Sequence, residues 1–296
     1  MNTTQIGIIG AGELGKALGH VLEKADSQVL YYDREDSRTT TASISDVVAA
    51  CQLLLICVPS TANREVLREV AKHTQPDNPP LVISFSKGVE KGFVTMDHVL
   101  KETLPEGTPY GLIYGPMMAD ELVAHNMGSG VLTLSDQIYA TPVRELFAKA
   151  RIFLELSPDM QGVAVSGVLR NPYAMMFGMV DGLDLGGNAR GRLSVMVLRE
   201  MKRILKGVGA DPETAEGLAG LGDMLTAGTG GNSFNYRLGR SIAEGIADGK
   251  VDTEGLTTLR ELSHIMKLEE YPLMHLLDKI IYHYEDPHVL QQLLES

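Results

Sequence analysis

The sequence predicts an α/β fold, in which an N-terminal Rossmann-type domain with a parallel sheet is followed by an all-helical C-terminal domain. Short apolar runs alternate with helical periodicity as far as about Leu156, and strand-like runs cease after about Ser157. A glycine-rich turn also follows the first apolar run. Alternating strands and helices are typical of a parallel sheet covered on both faces. We therefore expect two domains, an α/β domain at 1–158 and an all-helical domain at 159–296.

Seven segments of the first domain have the composition of buried strands. They are QIGIIG, QVLYY, LLLIC, PLVISFS, GLIYG, GVLTLS and RIFLEL. Segments between the first few, such as ELGKALGHVLEKA, repeat apolar residues at helical spacing.

The second domain consists of helical segments from MMFGMVDGL to HVLQQLLE. Within the preceding stretch GVLRNPYAMM, Pro172 is expected either to begin a helix as its first residue or to kink one. The role of Arg170, two residues earlier, is left open by its immediate neighbours: it fits a surface cation, an anion clamp or an active-site position.

Composition narrows the classes of partner. A formal charge of −12 over 296 residues disfavours nucleic acid and anionic membranes. No apolar run reaches membrane-spanning length, and the N-terminus lacks a basic region and a cleavage site, so we expect a cytoplasmic protein. The two cysteines and eight histidines have no metal-ligand spacing, and we expect no metal. A small anionic substrate would need local cations.

The stretch IGIIGAGELGKALG carries Gly10, Gly12 and Gly15 as G-x-G-x-x-G between a strand and a helix. In that context the three glycines serve a tight turn, room for a pyrophosphate and close approach of helix and sheet. Glu13 and Leu14 lie in the same turn, where the helix N-terminus would bind the pyrophosphate. A carboxylate at Glu13 is unfavourable there unless it points to solvent or a partner.

The second strand ends in Asp33, at the distance expected for the acid that binds the adenosine ribose. Its carboxylate would accept a hydrogen bond from the 2′-hydroxyl and repel a 2′-phosphate, so NAD is the predicted cofactor. Arg34 follows directly and would support NADP, which stays possible.

Six further segments occur in a specific order along the chain. They are LLLICVPSTANREVL, SFSKGVEKG, YGPMMADEL, GVLRNPYAMMFGMVDGLDLGGNAR, DPETAEGLAGLGDMLT and SFNYRLG. Together they resemble NAD(P)-dependent glycerol-3-phosphate dehydrogenase of the soluble, bacterial type. The resemblance implies reversible reduction of dihydroxyacetone phosphate to glycerol 3-phosphate, an active site between the two domains, and a homodimer.

The resemblance also implies roles for matching positions. Lys87 matches an active-site lysine and Asp223 an active-site aspartate. The positions implied to bind or lie near the substrate are Asn171, Asn188 and Asn235. The positions implied to lie beside the cofactor are Pro59 and Ala119.

Three positions depart from the family pattern. The second active-site lysine is Arg170 here, the phosphate-binding arginine is Phe234, and the active-site threonine is Ala227. Thr226, one residue earlier, offers a hydroxyl that a local slip would bring into place. Because arginine stays protonated, Arg170 is a poor proton donor but a good clamp for a carboxylate or phosphate, and the proton must then come from Lys87 or from a water held by Asp223.

These departures leave three hypotheses open. The chain is a dehydrogenase of glycerol 3-phosphate that tolerates Arg170, or it performs the same hydride chemistry on another small anionic hydroxy or keto compound. In the third hypothesis it binds a dinucleotide without turnover. Retention of Lys87, Asp223, Asn171 and Asn235 argues against the third.

Overall fold

The structure, a computed structural model, describes residues 5–35, 39–41, 43–229, 233–247 and 251–296. The chain divides into two compact units. Unit 1 comprises Met1–Lys87 and Thr95–Met160, and unit 2 comprises Gly88–Val94 and Gln161–Ser296.

Unit 1 is built on a seven-stranded sheet in the order β2-β1-β3-β4-β7-β8-β9. Its strands are β1 (Gln5–Ile9), β2 (Gln28–Tyr32), β3 (Leu53–Ile56), β4 (Leu81–Ser84), β7 (Tyr110–Tyr114), β8 (Gly128–Leu134) and β9 (Ile152–Leu156). Neighbouring strands are parallel throughout except for β7 and β8, which pair antiparallel with Leu112 opposite Thr133. The predicted fold class, a mostly parallel sheet domain followed by a helical one, is confirmed.

Helices cover this sheet. They are α1 (Glu13–Lys24), α2 (Ile44–Ala50), α3 (Asn63–His73), α4 (Met96–Thr103), α5 (Ala119–Val123) and α6 (Ala140–Lys149). The strands β1 and β3 are buried along most or all of their length, as expected for strands covered on both sides. Ile6, Leu18, Leu55 and Phe147 are fully buried members of one apolar core.

Unit 2 is helical apart from its part of a short hairpin. Its helices are α7 (Met160–Gly182), α8 (Gly186–Gly207), α9 (Asp223–Thr229), α10 (Phe234–Ala243), α11 (Glu254–Ile265), α12 (Pro272–Tyr282) and α13 (Val289–Glu295). The hairpin pairs β5 (Val89–Glu90) with β6 (Val94–Thr95). Val89 and Phe93 belong to an apolar core to which all seven of these helices contribute side chains.

Helix α7 begins twelve residues before Pro172, which lies inside it and is buried. Of the two alternatives expected for Pro172, the one in which it begins a helix is therefore wrong. The residues before it, VAVSGVL, include β-branched residues and glycine, which are weak helix formers. Nearly every side chain from Gly162 to Val180 is buried, so tertiary packing rather than propensity makes this segment helical.

Candidate active site

The glycine-rich turn joins β1 to α1. A Cβ on Gly10 would lie 2.7 Å from the carbonyl carbon of Cys57, and one on Gly15 would lie 2.0 Å from the Gly10 oxygen. A Cβ on Gly12 would meet nothing within 4 Å. Two of the glycines are thus required by close packing, while Gly12 faces open space at the N-cap of α1.

Asp33 holds this turn in place. Its Oδ2 accepts a hydrogen bond of 2.7 Å from the backbone N–H of Ala11, and its Oδ1 accepts one of 3.0 Å from Glu35. The acid at the end of β2 therefore lies directly against the glycine-rich turn, where an adenosine ribose is bound in Rossmann folds. Arg34, next in the chain, is exposed.

The other positions predicted to bind the cofactor differ in exposure. Glu13 is exposed in the first turn of α1, whereas Leu14 is partly buried and packs against the unit 1 core. Pro59 is an exposed residue before a short 3-10 turn. Ala119 is the first residue of α5 and is partly buried.

Lys87 lies three residues beyond β4. Its Nζ donates a hydrogen bond of 3.4 Å to the Gly115 carbonyl oxygen and lies 5.5 Å from the centre of the Tyr114 ring. The Tyr114 hydroxyl donates to the Ser86 carbonyl oxygen, next to Lys87 in the chain. These contacts position the backbone next to Lys87 and hold its ammonium group beside an aromatic face.

All the unit 1 positions predicted from the sequence follow carboxyl ends of parallel strands. The glycine-rich turn follows β1, Asp33 follows β2, Pro59 follows β3, Lys87 follows β4 and Ala119 follows β7. Open parallel sheets bind their ligands at this edge.

In unit 2, Arg170 on α7 forms an ion pair with Asp223. The distance from Arg170 Nη1 to Asp223 Oδ1 is 2.8 Å, and the two side chains are 24% and 1% exposed. Arg170 is therefore not a surface cation. A π-helical turn, Leu218–Gly222, directly precedes Asp223, and such turns are frequent at functional sites.

Asn171, the next residue of α7, forms a hydrogen-bonded cluster with two other polar side chains, Glu254 and Asn235. Asn171 donates from Nδ2 to Glu254 Oε2 at 3.3 Å, and its Oδ1 accepts from Asn235 Nδ2 at 3.3 Å. Asn171 and Asn235 are both buried. Two of the three asparagines predicted to bind or lie near the substrate are thus bonded to each other, while the third, Asn188, is exposed in the first turn of α8.

The three departures lie on the same helices. Ala227 is buried on α9, one turn after Asp223, and Thr226 donates its hydroxyl to the Gly222 carbonyl oxygen at 3.0 Å. The Thr226 hydroxyl is thus bonded within its own helical segment. Phe234 is the first residue of α10, 52% exposed, with the guanidinium carbon of Arg237 at 6.0 Å from its ring centre.

One polar cluster was not predicted from the sequence. Asp181, at the end of α7, accepts hydrogen bonds from Arg190 and from the Tyr236 hydroxyl. Burial, followed by the bond to Asp181, raises the pKa of Tyr236, so this hydroxyl stays protonated and donates. The sequence shows Asp181 near the end of the apolar run of α7, but no pattern in the neighbouring residues indicates which side chains it contacts.

The fold and these side chains define the class of protein: a Rossmann-type unit is followed by a helical unit that carries the Arg170–Asp223 ion pair. Residues 35–140 match the model of the N-terminus of NAD-dependent glycerol-3-phosphate dehydrogenase, and residues 159–292 match that of its C-terminus. The chain belongs to the NAD-dependent glycerol-3-phosphate dehydrogenase family.

Individual relatives agree with this assignment. The chain is 29% identical over 293 residues to a glycerol-3-phosphate dehydrogenase [NAD(P)+] of Pseudomonas savastanoi, covering 88% of this chain and 85% of the relative. The solved glycerol-3-phosphate dehydrogenase of Coxiella burnetii superposes with a TM-score of 0.88 at 27% identity, over 99% of both chains. The corresponding yeast structure shares the fold, with a TM-score of 0.81 at 18% identity over 100% of both chains.

No helix among the described residues combines the length and hydropathy needed to cross a membrane. No group of three or more His, Cys, Asp or Glu side chains in the same part of the chain is placed to hold a metal ion.

Proposed function

We propose that this chain is an NAD(P)-dependent dehydrogenase that interconverts dihydroxyacetone phosphate and glycerol 3-phosphate. The observation that carries the proposal is the set of residues at the carboxyl edge of the sheet, where Asp33, after β2, holds the glycine-rich turn and Lys87 follows β4. Family membership supports the same reaction, because the relatives bear that name.

The glycine-rich turn fits a dinucleotide. The open space at Gly12 and the first turn of α1 suit a pyrophosphate, and Asp33 suits an adenosine ribose bearing a 2′-hydroxyl.

Residues 1–158 would bind the cofactor and 159–296 the substrate. Gly10, Gly12, Gly15 and the backbone of Leu14 would surround the pyrophosphate. Pro59, Ala119, Glu13 and Arg34 would flank the cofactor. When bound, the nicotinamide supplies the hydride chemistry.

We assign to Lys87 the role of proton donor to the substrate oxygen. Reduction of a ketone leaves negative charge on its oxygen, and a donor within hydrogen-bond reach stabilises that charge. A lysine ammonium can give up a proton, whereas a guanidinium cannot. The hydrogen bond to the Gly115 carbonyl and the ring of Tyr114 would orient the Lys87 ammonium toward the reacting oxygen.

The Arg170–Asp223 pair would supply fixed charge rather than a proton. Asp223 is buried, and a buried carboxylate needs a paired cation to remain ionised. Arg170 meets that need at all working pH values. The bonded pair Asn171 and Asn235, with Asn188 on α8, would position substrate hydroxyl groups.

Following NADH absorbance with purified protein and dihydroxyacetone phosphate tests this proposal, with NADPH and a panel of 2-keto acids in parallel. We expect NADH oxidation that depends on dihydroxyacetone phosphate at ordinary enzyme rates. Tight NADH binding without turnover of dihydroxyacetone phosphate would contradict the proposed substrate.

One observation favours a second candidate, the same hydride chemistry on another small anionic hydroxy or keto compound. Phe234 presents an exposed apolar ring, and Ala227 a buried methyl group, at positions that the family resemblance links to the substrate. Turnover of a 2-keto acid in the panel, at a rate above that of dihydroxyacetone phosphate, would select this candidate.

We further propose a cytoplasmic homodimer that binds neither nucleic acid nor membranes. The formal charge of −12 supports the last two points, because phosphate backbones and anionic lipids repel an acidic protein. Light scattering of the eluted protein tests the dimer: a mass near 32.1 kDa would indicate a monomer.

A further inference from the structure

The guanidinium of Arg170 has two edges that can each grip an oxyanion. One edge contains Nη1, which is bonded to Asp223. The other consists of Nε and Nη2, and among the described residues the buried Nε has no hydrogen-bond partner. A buried donor on a charged group is costly to leave unpaired, so a site that retains one is suited to a ligand that pairs it.

The position that carries an arginine in the family is apolar here. The Phe234 side chain offers no hydrogen bond, and Ala227 offers no hydroxyl. Among the unit 2 positions that the resemblance links to the active site, namely 170, 171, 188, 223, 227, 234 and 235, Arg170 is the one with a cationic side chain. The negative group of a substrate would therefore find its cation at position 170.

We propose that Arg170 binds the oxyanion of the substrate through its Nε–Nη2 edge while Nη1 remains on Asp223. The residue would thus take over the anion-binding role that Phe234 cannot perform. This inference rests on the proposed function, from which the oxyanion would be the phosphate of a small phosphate ester. A carboxylate has the same two-oxygen geometry, and the experiment below separates the two.

Asp223 gives the arrangement its rigidity. Because the carboxylate is buried and bonded to Nη1, it fixes the plane of the guanidinium, and a fixed plane loses less entropy when an anion binds. A lysine at position 170 could pair with Asp223 but would keep no second planar edge for the ligand.

The test uses full-length protein saturated with NADH, and inorganic phosphate and oxamate as separate probes. The dissociation constant of each probe is taken from the rise in melting temperature with its concentration. Whichever probe binds wild type, we expect its dissociation constant to increase about tenfold or more in Arg170→Lys. The reason is the loss of one charge-assisted hydrogen bond. Arg199→Lys, an exposed arginine on α8, is the matched control and should change nothing.

Two further variants separate Arg170 from its neighbours. Phe234→Arg, added to Arg170→Lys, should restore binding to within about threefold of wild type, because it returns a guanidinium to the position that carries one in the family. Arg237→Gln tests the cation beside Phe234 and should leave the dissociation constant within about twofold of wild type. Loss of binding in Arg237→Gln, or unchanged binding in Arg170→Lys, would overturn the inference.

The outcome also distinguishes this inference from the proposed reaction. If wild type binds phosphate through Arg170 and turns over dihydroxyacetone phosphate, both stand, and the KM of Arg170→Lys for that substrate should rise in parallel. If oxamate alone binds through Arg170 and dihydroxyacetone phosphate is not turned over, the proposed substrate is wrong and the role of Arg170 stands. If neither probe binds wild type, the inference fails whatever the turnover.

Discussion

Lys87 and Arg170 are both cations, but only lysine can exchange its proton in the pH range of an enzyme. The hydrogen bond from Lys87 to the Gly115 carbonyl and the ion pair from Arg170 to Asp223 match this difference. A lysine ammonium can give up a proton, whereas a buried carboxylate needs a paired cation. At the residue scale, therefore, the proposed function would leave proton transfer to Lys87, because Arg170 cannot give up a proton.

Replacement of that lysine is the first prediction. Lys87→Met should lower kcat for dihydroxyacetone phosphate by about 100-fold or more, since general acid catalysis contributes that much. The measurement is steady-state NADH oxidation, with NADH affinity determined separately. Lys101→Met, an exposed lysine on α4, should retain wild-type kcat. A kcat within twofold of wild type for Lys87→Met would refute its assignment.

Cofactor preference is the second residue-scale prediction. Asp33→Asn keeps an acceptor for the Ala11 N–H but removes the negative charge that would repel a 2′-phosphate. The ratio of kcat/KM for NADPH to that for NADH should rise about tenfold, the scale of one charge–charge interaction near a protein surface. Asp26→Asn, in an exposed turn before β2, serves as control. An unchanged ratio would show that Asp33 does not select the cofactor.

At the element scale, the site depends on how closely α7 and α10 approach. A Cβ on Gly178 of α7 would lie 2.0 Å from the Tyr236 carbonyl oxygen, and one on Gly239 of α10 would lie 1.9 Å from the Met175 carbonyl oxygen. Backbone therefore packs on backbone at two points of the crossing. This approach brings Asn235 within hydrogen-bond distance of Asn171.

An added methyl group should separate the two helices. We expect Gly239→Ala to lower the free energy of unfolding by about 1–3 kcal/mol, the range for overpacking, and to raise the KM for the substrate. Urea unfolding measures the first effect. Gly191→Ala on α8 is the matched control, because its Cβ would meet nothing within 4 Å, and alanine should be neutral or stabilising there. Equal stability of the two variants would contradict the close crossing.

The hairpin of β5 and β6 gives a pH-dependent prediction. Its Gly92 N–H donates to Glu261 Oε2 on α11 at 2.8 Å, and Phe93 beside it has a φ of 59°, which is strained for a bulky residue. Burial raises the pKa of Glu261, but the bonds from Gly92, Arg260 and His264 outweigh it, and the net pKa is lowered. The ionised carboxylate thus stabilises the hairpin.

A carboxyl with a lowered pKa stabilises the fold above its unfolded pKa of about 4.3, and this stabilisation is lost as the pH falls through the folded value. Glu261→Gln should therefore cost about 1–2 kcal/mol of unfolding free energy at pH 7, and the difference from wild type should shrink below about pH 4. Urea unfolding at several pH values measures it. A difference that is constant with pH would show that the charge of Glu261 plays no part.

At the scale of the whole molecule, the net charge of −12 opposes an anionic ligand, so binding of the proposed substrate would need local cations such as Lys87 and Arg170. Much of the architecture was predictable. Each of the seven segments predicted to be a strand lies in a strand of the sheet, because buried strands of a mostly parallel sheet are continuous apolar runs that few other elements imitate. The family was also recognisable from the sequence, because the six segments that resemble it occur in a specific order along the chain.

Other features depend on contacts that no local pattern contains. The antiparallel pairing of β8 with β7 is one such feature, because the apolar run of β8 carries no signal of its direction in the sheet. The start of α7 was missed because burial overrides weak helix propensity, and the Asp181 cluster because its partners lie on α8 and α10. The pairing of Arg170 with Asp223 joins residues 53 apart in sequence.

The central claim is hydride transfer to the carbonyl carbon of dihydroxyacetone phosphate by a protein with arginine at position 170. Its most direct test is incubation of purified protein and dihydroxyacetone phosphate with NADH deuterated at C4 of the nicotinamide, in each stereoisomer, followed by NMR of the product. We expect deuterium on carbon 2 of glycerol 3-phosphate from one stereoisomer alone, and loss of this product in Lys87→Met. Bound NADH with no deuterated glycerol 3-phosphate from either stereoisomer would contradict the account.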